Sequence, residues 1–150
     1  MSTMTETTTQ VYQVFIKSTP EEIWQAIIDP AFTSKYFYGS RITITPEGRT
    51  STNPDGTESW GDSPVLEWDP PRRLVHGWVS LYDPEFAAEE PSRVSWEIEP
   101  QDGGFCKLTL VHDRLEGAPK TAASVAGGWM VVLSGLKTLL ETGEPMASPS

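Results

Sequence analysis

The chain has 150 residues, enough for one domain that buries a sizeable apolar core without a disulfide or a structural metal. Its 21 acidic and 11 basic residues give a net charge of −10, and no basic cluster offsets it, so binding to nucleic acid or to an anionic membrane is not expected. The single cysteine, Cys106, excludes an intrachain disulfide and fits a reducing, cytoplasmic location. We find no apolar run of about 18 residues and no signal-peptide pattern, which predicts neither a membrane span nor secretion.

The first part of the chain predicts a strand, two short helices and then a series of strands. Residues 10–17 are β-branched and aromatic, as in a strand. Thr19 and Glu22 form a capping box around Pro20, so a helix begins there, and it stops at residues 29–30. A second short helix is predicted over residues 32–38. From residue 41 the period changes to two, which predicts strands over residues 41–45, 49–52 (weak and polar), 57–61, 65–68, 73–81, 92–99 and 105–112. Residues 83–91 form an acidic loop whose conformation the pattern does not predict.

The last two strands alternate clearly between apolar and polar residues, and in the strand before them one face carries the bulky residues, which we therefore orient inward. Such strands have one face in a core and the other in water. The faces predicted to point inward carry Leu74, His76 and Trp78, then Val94, Trp96 and Ile98, then Cys106, Leu108, Leu110 and His112.

The segment 118–143 predicts one long helix. Its apolar residues recur at helical spacing and form one stripe, ended by Gly143 in the position of a left-handed cap. Gly127 and Gly128 interrupt it, each costing about 1 kcal/mol relative to alanine. A late helix start, a kink, or close approach of another backbone or a ligand would explain the pair. The stripe consists of Val125, Trp129, Val132, Leu133, Leu136, Leu139 and Leu140.

These elements predict a single α+β domain over residues 1–150, with an ordered core at about 10–143 and flexible polar tails. The simplest way to bury both apolar surfaces is a curled antiparallel sheet of about six or seven strands around the long C-terminal helix, with the two short helices after the first strand.

The order of several short motifs resembles a known family. The matching pieces are residues 19–26 (TPEEIWQA), Asp29-Pro30, Tyr36-Phe37, the most specific phrase at 65–74 (VLEWDPPRRL) running on to Trp78, residues 108–112 (LTLVH), and Gly128-Trp129 with Leu133, Leu136-Lys137 and Leu140-Glu141. Together they resemble the START-like (helix-grip, SRPBCC) superfamily, and within it the bacterial branch named after the activator homologue of the 90-kDa heat-shock protein ATPase. The resemblance implies a helix-grip fold that holds an apolar or amphipathic small molecule between sheet and helix. Some relatives are cyclases or hydrolases, and the family name records kinship with a eukaryotic co-chaperone. No shared catalytic motif matches positions here, so no catalytic residue is carried over.

The candidate site is an apolar pocket of roughly 300–1,000 Å³ between sheet and helix. Either histidine is a donor or general base toward a ligand, or else a hydrogen-bonded structural residue. A serine triad through His112 and Asp113 is disfavoured, because adjacent strand residues point to opposite faces. No metal-ligand spacing occurs, and we predict neither a metal nor a cofactor. The residues predicted to contact the ligand are Phe37, Trp60, His76, Trp78, Trp96, His112, Val125, Trp129 and Leu133.

The sequence therefore favours a binding protein for a small apolar ligand over an enzyme. Two alternatives stay open: a cyclase- or hydrolase-type enzyme that uses a pocket histidine, and a co-chaperone-like interaction module. A homodimer and chaperone binding are also left open.

Overall fold

The computed structural model describes residues 8–147 and confirms the α+β class and the order of its elements. The tails predicted to be flexible fall largely on residues 1–7 and 148–150, which lie outside that range. In chain order the elements are β1 (Gln10–Ile16), α1 (Pro20–Ile28), α2 (Pro30–Tyr36), β2 (Arg41–Thr45), β3 (Gly48–Thr52), β4 (Ser59–Ser63), β5 (Val65–Asp69), β6 (Arg73–Trp78), α3 (Pro84–Ala87), β7 (Ser92–Gln101), β8 (Phe105–Asp113) and α4 (Pro119–Thr142).

The eight strands of the described chain form two antiparallel sheets rather than one sheet of six or seven strands. Five strands pair in the order β1-β8-β7-β6-β5, and three pair in the order β2-β3-β4. Two backbone hydrogen bonds join the sheets: Gly77 N–H donates to Pro64 O at 3.0 Å, and Leu81 N–H donates to Trp60 O at 2.9 Å. The two sheets thus adjoin along β4 and β6.

Local sequence signals set the two short helices. Thr19 Oγ1 accepts from the Glu22 N–H at 3.1 Å, and the Glu22 carboxylate accepts from the Thr19 N–H at 3.2 Å, which confirms the capping box. Asp29 ends α1 and caps α2 by accepting from the Ala31 N–H at 2.8 Å. The second helix therefore begins at Pro30, two residues earlier than predicted.

The long helix α4 lies against the sheets as predicted. The stripe residues Trp129, Val132, Leu133, Leu136 and Leu139 are buried, and Val125 and Leu140 pack against the same core. Gly143 has φ +80° and donates its N–H to Leu139 O at 2.8 Å, which confirms the left-handed cap. By length and composition α4 is apolar enough to cross a membrane, with a mean hydropathy of 1.4 over its most apolar window. Its apolar stripe, however, is covered by the sheets and by α1 and α2.

The acidic loop left unassigned above caps this helix. Asp83 begins the one-turn helix α3, and Glu89 then reaches the N-terminus of α4. The Glu89 carboxylate accepts from the N–H groups of Lys120 (2.8 Å) and Thr121 (2.9 Å), and from the Thr121 hydroxyl (2.7 Å). Partial burial opposes ionisation, but these hydrogen bonds prevail and lower the pKa of Glu89. A carboxylate thus supplies the cap that Ala118 lacks.

Candidate functional site

A cavity of about 340 Å³ lies between α4, the end of α2, the three-stranded sheet and the loop that follows β6. The cavity is open to solvent, and two of the residues that line it, Tyr38 and Tyr82, are more than half exposed. The lining residues are Phe37, Tyr38, Ser40, Ile42, Arg49, Ser51, Trp60, Trp78, Val79, Ser80, Tyr82, Ser124, Val125, Gly128, Trp129 and Val132.

Aromatic rings form the inner wall of the cavity. The ring centroid of Trp78 lies 5.2 Å from that of Trp129 and 6.3 Å from that of Phe37, and Phe37 and Trp129 are 5.7 Å apart with nearly perpendicular rings. The three residues come from α4, β6 and the residue that ends α2, so the inner wall exists only in the folded domain. Edge and tilted contacts of this kind stabilise such clusters by about 0.5–1.5 kcal/mol per pair beyond burial.

A single charged residue, Arg49, lines the cavity. It lies in β3, is 3% exposed, and its guanidinium carbon sits 4.7 Å from the centroid of the Trp78 ring. Burial lowers its pKa to about 10, so it stays protonated at neutral pH. Among the described residues no carboxylate pairs with it, and its side chain makes no hydrogen bond. The Trp78 indole N–H is also buried without an acceptor in this part of the chain.

Two buried serines add polar groups to the same wall. Ser51 lies on β3 two residues from Arg49, and Ser80 follows β6. Neither hydroxyl hydrogen-bonds to another residue in the range 8–147. The cavity therefore combines aromatic walls with one cation and unpaired hydroxyls, a combination that suits an amphipathic molecule.

The imidazole of His76 lies behind this wall, with both ring nitrogens engaged. Trp96 Nε1–H donates to His76 Nε2 at 3.0 Å, so the ring proton is on Nδ1, which donates to Gly77 O at 2.7 Å. Burial, reinforced by the positive charge of Arg49, lowers the pKa of His76 to about 3. The ring is 1% exposed and does not line the cavity.

His112 is held in the same way with the other tautomer. Trp129 Nε1–H donates to Nδ1 at 3.0 Å, and Nε2–H donates to the Ser92 hydroxyl at 2.7 Å. Burial outweighs the opposing effect of Asp113 and lowers the pKa of His112 to about 4. In this arrangement neither histidine has a free nitrogen with which to accept a proton from a molecule in the cavity.

Five of the nine residues predicted to contact a ligand line the cavity: Phe37, Trp60, Trp78, Val125 and Trp129. The other four lie beneath this wall in the core: His76, Trp96, His112 and Leu133. All four point inward as predicted, but Trp78 and Trp129 lie over the histidines, with ring centroids 5.6 Å and 5.9 Å from His112.

The two helix glycines have different surroundings. Gly128 lines the cavity, and a Cβ built on it meets only the Tyr38 hydroxyl, at 3.7 Å. Gly127 is exposed, with nothing within 4 Å of such a Cβ, and it does not line the cavity. Close backbone approach occurs instead at Gly135, where a Cβ would lie 3.2 Å from Tyr36 Cβ and 3.5 Å from Tyr36 O.

Sequence reasoning missed the polar groups of the cavity. Arg49 and Ser51 alternate with exposed residues in β3, a spacing that places both on one face. Ile42 and Ile44 pair with them across β2 and are buried, which identifies that face as the inner one. Elsewhere in the described chain, no three His, Cys, Asp or Glu side chains are grouped so that they could hold a metal ion.

Solved structures resemble this fold at low sequence identity. Protein MLL2253 from Mesorhizobium loti superposes with a TM-score of 0.71 at 20% identity, over 89% of this chain and 96% of that one. The Aha1 dimer from Colwellia psychrerythraea gives 0.69 at 19% identity, over 90% and 97%. CalU16 from Micromonospora echinospora gives 0.68 at 22% identity, over 94% and 77%. No curated protein matches the chain by sequence.

The family resemblance drawn from the motifs is confirmed by a comparison of sequence profiles. The profile described as activator of Hsp90 ATPase homolog 1-like protein matches residues 17–141, which runs from the end of β1 almost to the end of α4. Since this match covers well over half of the sequence, the chain belongs to the activator of Hsp90 ATPase homolog 1-like protein family.

Proposed function

We propose that this protein binds an apolar or amphipathic small molecule in the cavity beside α4. The observation that supports it is the cavity itself, which has a volume of about 340 Å³, an aromatic inner wall and two exposed tyrosines among its lining residues. Ligand pockets in proteins are typically concave, mostly apolar and 300–1,000 Å³ in volume.

The histidines favour binding over catalysis at this site. A general base must reach the proton that it abstracts, directly or through one water. The nitrogens of His76 and His112 are instead occupied by Trp96, Gly77, Trp129 and Ser92, and the rings lie behind the cavity wall. A cyclase- or hydrolase-type activity that uses one of these histidines would require the wall to open first.

A neutral, environment-sensitive naphthalene dye tests the proposal. We expect N-phenyl-1-naphthylamine to bind the parent protein with an increase in fluorescence. Gly128→Leu should abolish this binding, because Gly128 lines the cavity and the new side chain has room to enter it. Gly127→Leu is the matched control: it makes the same change one residue earlier, at an exposed position, and should leave binding unchanged. Equal dye binding by parent and folded Gly128→Leu would refute the proposal.

The remaining hypotheses stay predictions. A cytoplasmic location, a homodimer and binding to a chaperone each need their own measurement. The dimer in the name of the Colwellia psychrerythraea structure belongs to that protein. Size-exclusion chromatography with light scattering would decide the oligomeric state of this one.

A further inference from the structure

Arg49 is a buried cation whose counter-ion the described chain does not supply. The seven ion pairs of residues 8–147 use other cations, from Arg72 to Lys137, and lie on the surface of the domain. Within residues 8–147 the guanidinium stacks on the face of the Trp78 ring, and no carboxylate or hydrogen-bond acceptor is paired with it. A buried charge without a partner is strongly unfavourable, so a buried cation usually has an anion beside it. The cavity that Arg49 lines offers space for a counter-ion.

The groups around Arg49 are arranged to hold an oxygen anion. Arg49 and Ser51 lie two residues apart on the inward face of β3, and both line the cavity. A Cβ built on Gly61 would lie 2.9 Å from Ser51 Oγ and 3.5 Å from Arg49 Nη1, so the hydroxyl and the guanidinium are neighbours. Both are free to donate, and an arginine fork binds a carboxylate through two parallel hydrogen bonds. Gly61 lets β4 pass close to this pair, since a Cβ there would lie only 2.9 Å from both Ser51 Oγ and Val79 O.

The rest of the cavity limits the size and shape of the anion. A volume of 340 Å³ equals about eleven water molecules at ~30 Å³ each, so a ligand of roughly ten to fifteen non-hydrogen atoms fits with part of it in the mouth. The rings of Phe37, Trp78 and Trp129 form the wall beside the charge, with Trp78 directly against the guanidinium, and they favour a flat aromatic body. The geometry points to a small aromatic monocarboxylate as the ligand class, with the carboxylate on Arg49 and Ser51 and the ring against the aromatic wall. This inference rests on the proposed function of the cavity.

Calorimetric titration with 2-naphthoate and with its neutral isostere 2-naphthamide tests the inference. We expect the parent to bind naphthoate about 10- to 100-fold more tightly than naphthamide, the range that one charge-assisted, desolvated hydrogen-bonded pair supplies. Arg49→Met keeps an unbranched apolar stem and removes the charge, so it should lose this preference while still binding naphthamide. With a net charge of −10, the protein surface does not attract naphthoate by itself.

A second measurement separates recognition from a structural role of Arg49. Without ligand, Arg49→Met should unfold at a urea concentration equal to or above that of the parent, because an unpaired buried charge is removed. Saturating naphthoate should raise the midpoint of the parent and not that of the variant. A midpoint well below that of the parent would make Arg49 a structural residue and overturn the inference.

The outcomes also distinguish this inference from the proposed function. If parent and Arg49→Met bind both compounds alike, or bind only naphthamide, the cavity binds ligands but the inferred carboxylate class is wrong. If the parent binds neither compound, the inference fails, and the neutral dye then decides whether the cavity binds anything. Preference for naphthoate that survives in Arg49→Met would place the carboxylate elsewhere and equally overturn it.

Discussion

Acidification should destabilise this protein well above the pH at which its carboxylates titrate, because two histidines are buried in the neutral form. In the folded state, His76 and His112 have pKa values of about 3 and about 4, against an unperturbed value of 6.5. The unfolded chain therefore binds protons that the folded chain does not between pH 6.5 and pH 4. The free energy of unfolding falls as pH decreases through this window and is fully retained above it.

The size of the effect follows from the same values. The contribution of each histidine to the free energy of unfolding falls by about 2 kcal/mol between neutral pH and pH 5, since each pH unit below the unfolded pKa of 6.5 costs about 1.36 kcal/mol. The two together give about 4 kcal/mol, a large share of the 5–15 kcal/mol that stabilises an ordinary domain. The hydrogen bonds also predict destabilisation at low pH. A proton added to the unprotonated nitrogen of either histidine would point at the tryptophan N–H that donates to that nitrogen, so this hydrogen bond would be lost. Asp113 and Glu22, whose pKa values are lowered by hydrogen bonds, add their own loss mainly below about pH 4.5.

Urea unfolding at pH 7, 6 and 5 measures this dependence. Near pH 5 the free energy of unfolding should change with pH by about 2.5 kcal/mol per pH unit, which corresponds to nearly two protons taken up on unfolding. His76→Gln is the useful variant, because its amide oxygen can still accept from Trp96 while one titrating group is removed. The slope should then fall by about half, whatever the absolute stability of the variant. A free energy of unfolding that is constant between pH 7 and pH 5 would show that the histidines are not held neutral, and would refute the buried hydrogen-bond arrangement.

Four further predictions follow from packing and charge. Trp129→Ala should cost about 3–5 kcal/mol in urea unfolding, since it removes a buried ring and the donor to His112; a loss below about 1 kcal/mol would contradict its burial. Gly135→Leu should destabilise by at least about 1–3 kcal/mol, because the side chain would meet the backbone of Tyr36; a melting temperature equal to that of the parent would contradict the close approach of α4 to α2. Glu89→Gln should weaken the cap of α4 by about 0.3–1 kcal/mol in thermal unfolding, and less at high salt; an effect that salt leaves unchanged would exclude the charge as its cause. In a fluorescence titration at physiological salt the protein should show no measurable affinity for duplex DNA; salt-sensitive micromolar binding would overturn that expectation.

Periodicity could predict the elements whose two faces differ strongly in polarity. From Val94 to Ile98 in β7 and from Cys106 to His112 in β8, each inward residue is apolar or histidine and is buried, and each outward neighbour is partly exposed. The stripe of α4 and its end at Gly143 were equally clear, because a 24-residue helix gives many turns over which the pattern repeats. The boundary of α2 was less clear, since Asp29 ends one helix and caps the next, and a single residue in two roles blurs both signals.

The cavity shows where such reasoning stops. Period two tells which face of a strand a residue is on, but it does not tell how deep the residue lies beneath that face. His76 and Trp78 are two residues apart on one face of β6, and yet only Trp78 reaches the cavity. In β3 the sequence GRTST is polar on both faces, so alternation carries no contrast and the inward direction of Arg49 depends on its pairing with β2. Arg49, the charged residue that lines the cavity, therefore lies in the strand whose two faces the sequence pattern distinguishes least.

The unpaired arginine and the neutral histidines belong to one electrostatic arrangement. The positive charge of Arg49 lowers the pKa values of both His76 and His112, in addition to the effect of burial. Because the histidines stay neutral, Arg49 remains the one full charge at the cavity, and they do not compete with it for an anion. Linkage is reciprocal, so an anion that pairs with Arg49 would cancel its effect and raise the pKa of each histidine toward the ordinary value. The sequence predicted that His76 and His112 contact the ligand, but both lie beneath the cavity wall. There His112 accepts a hydrogen bond that holds Trp129 in place. Because both histidines are neutral, Arg49 is the single cation at the cavity.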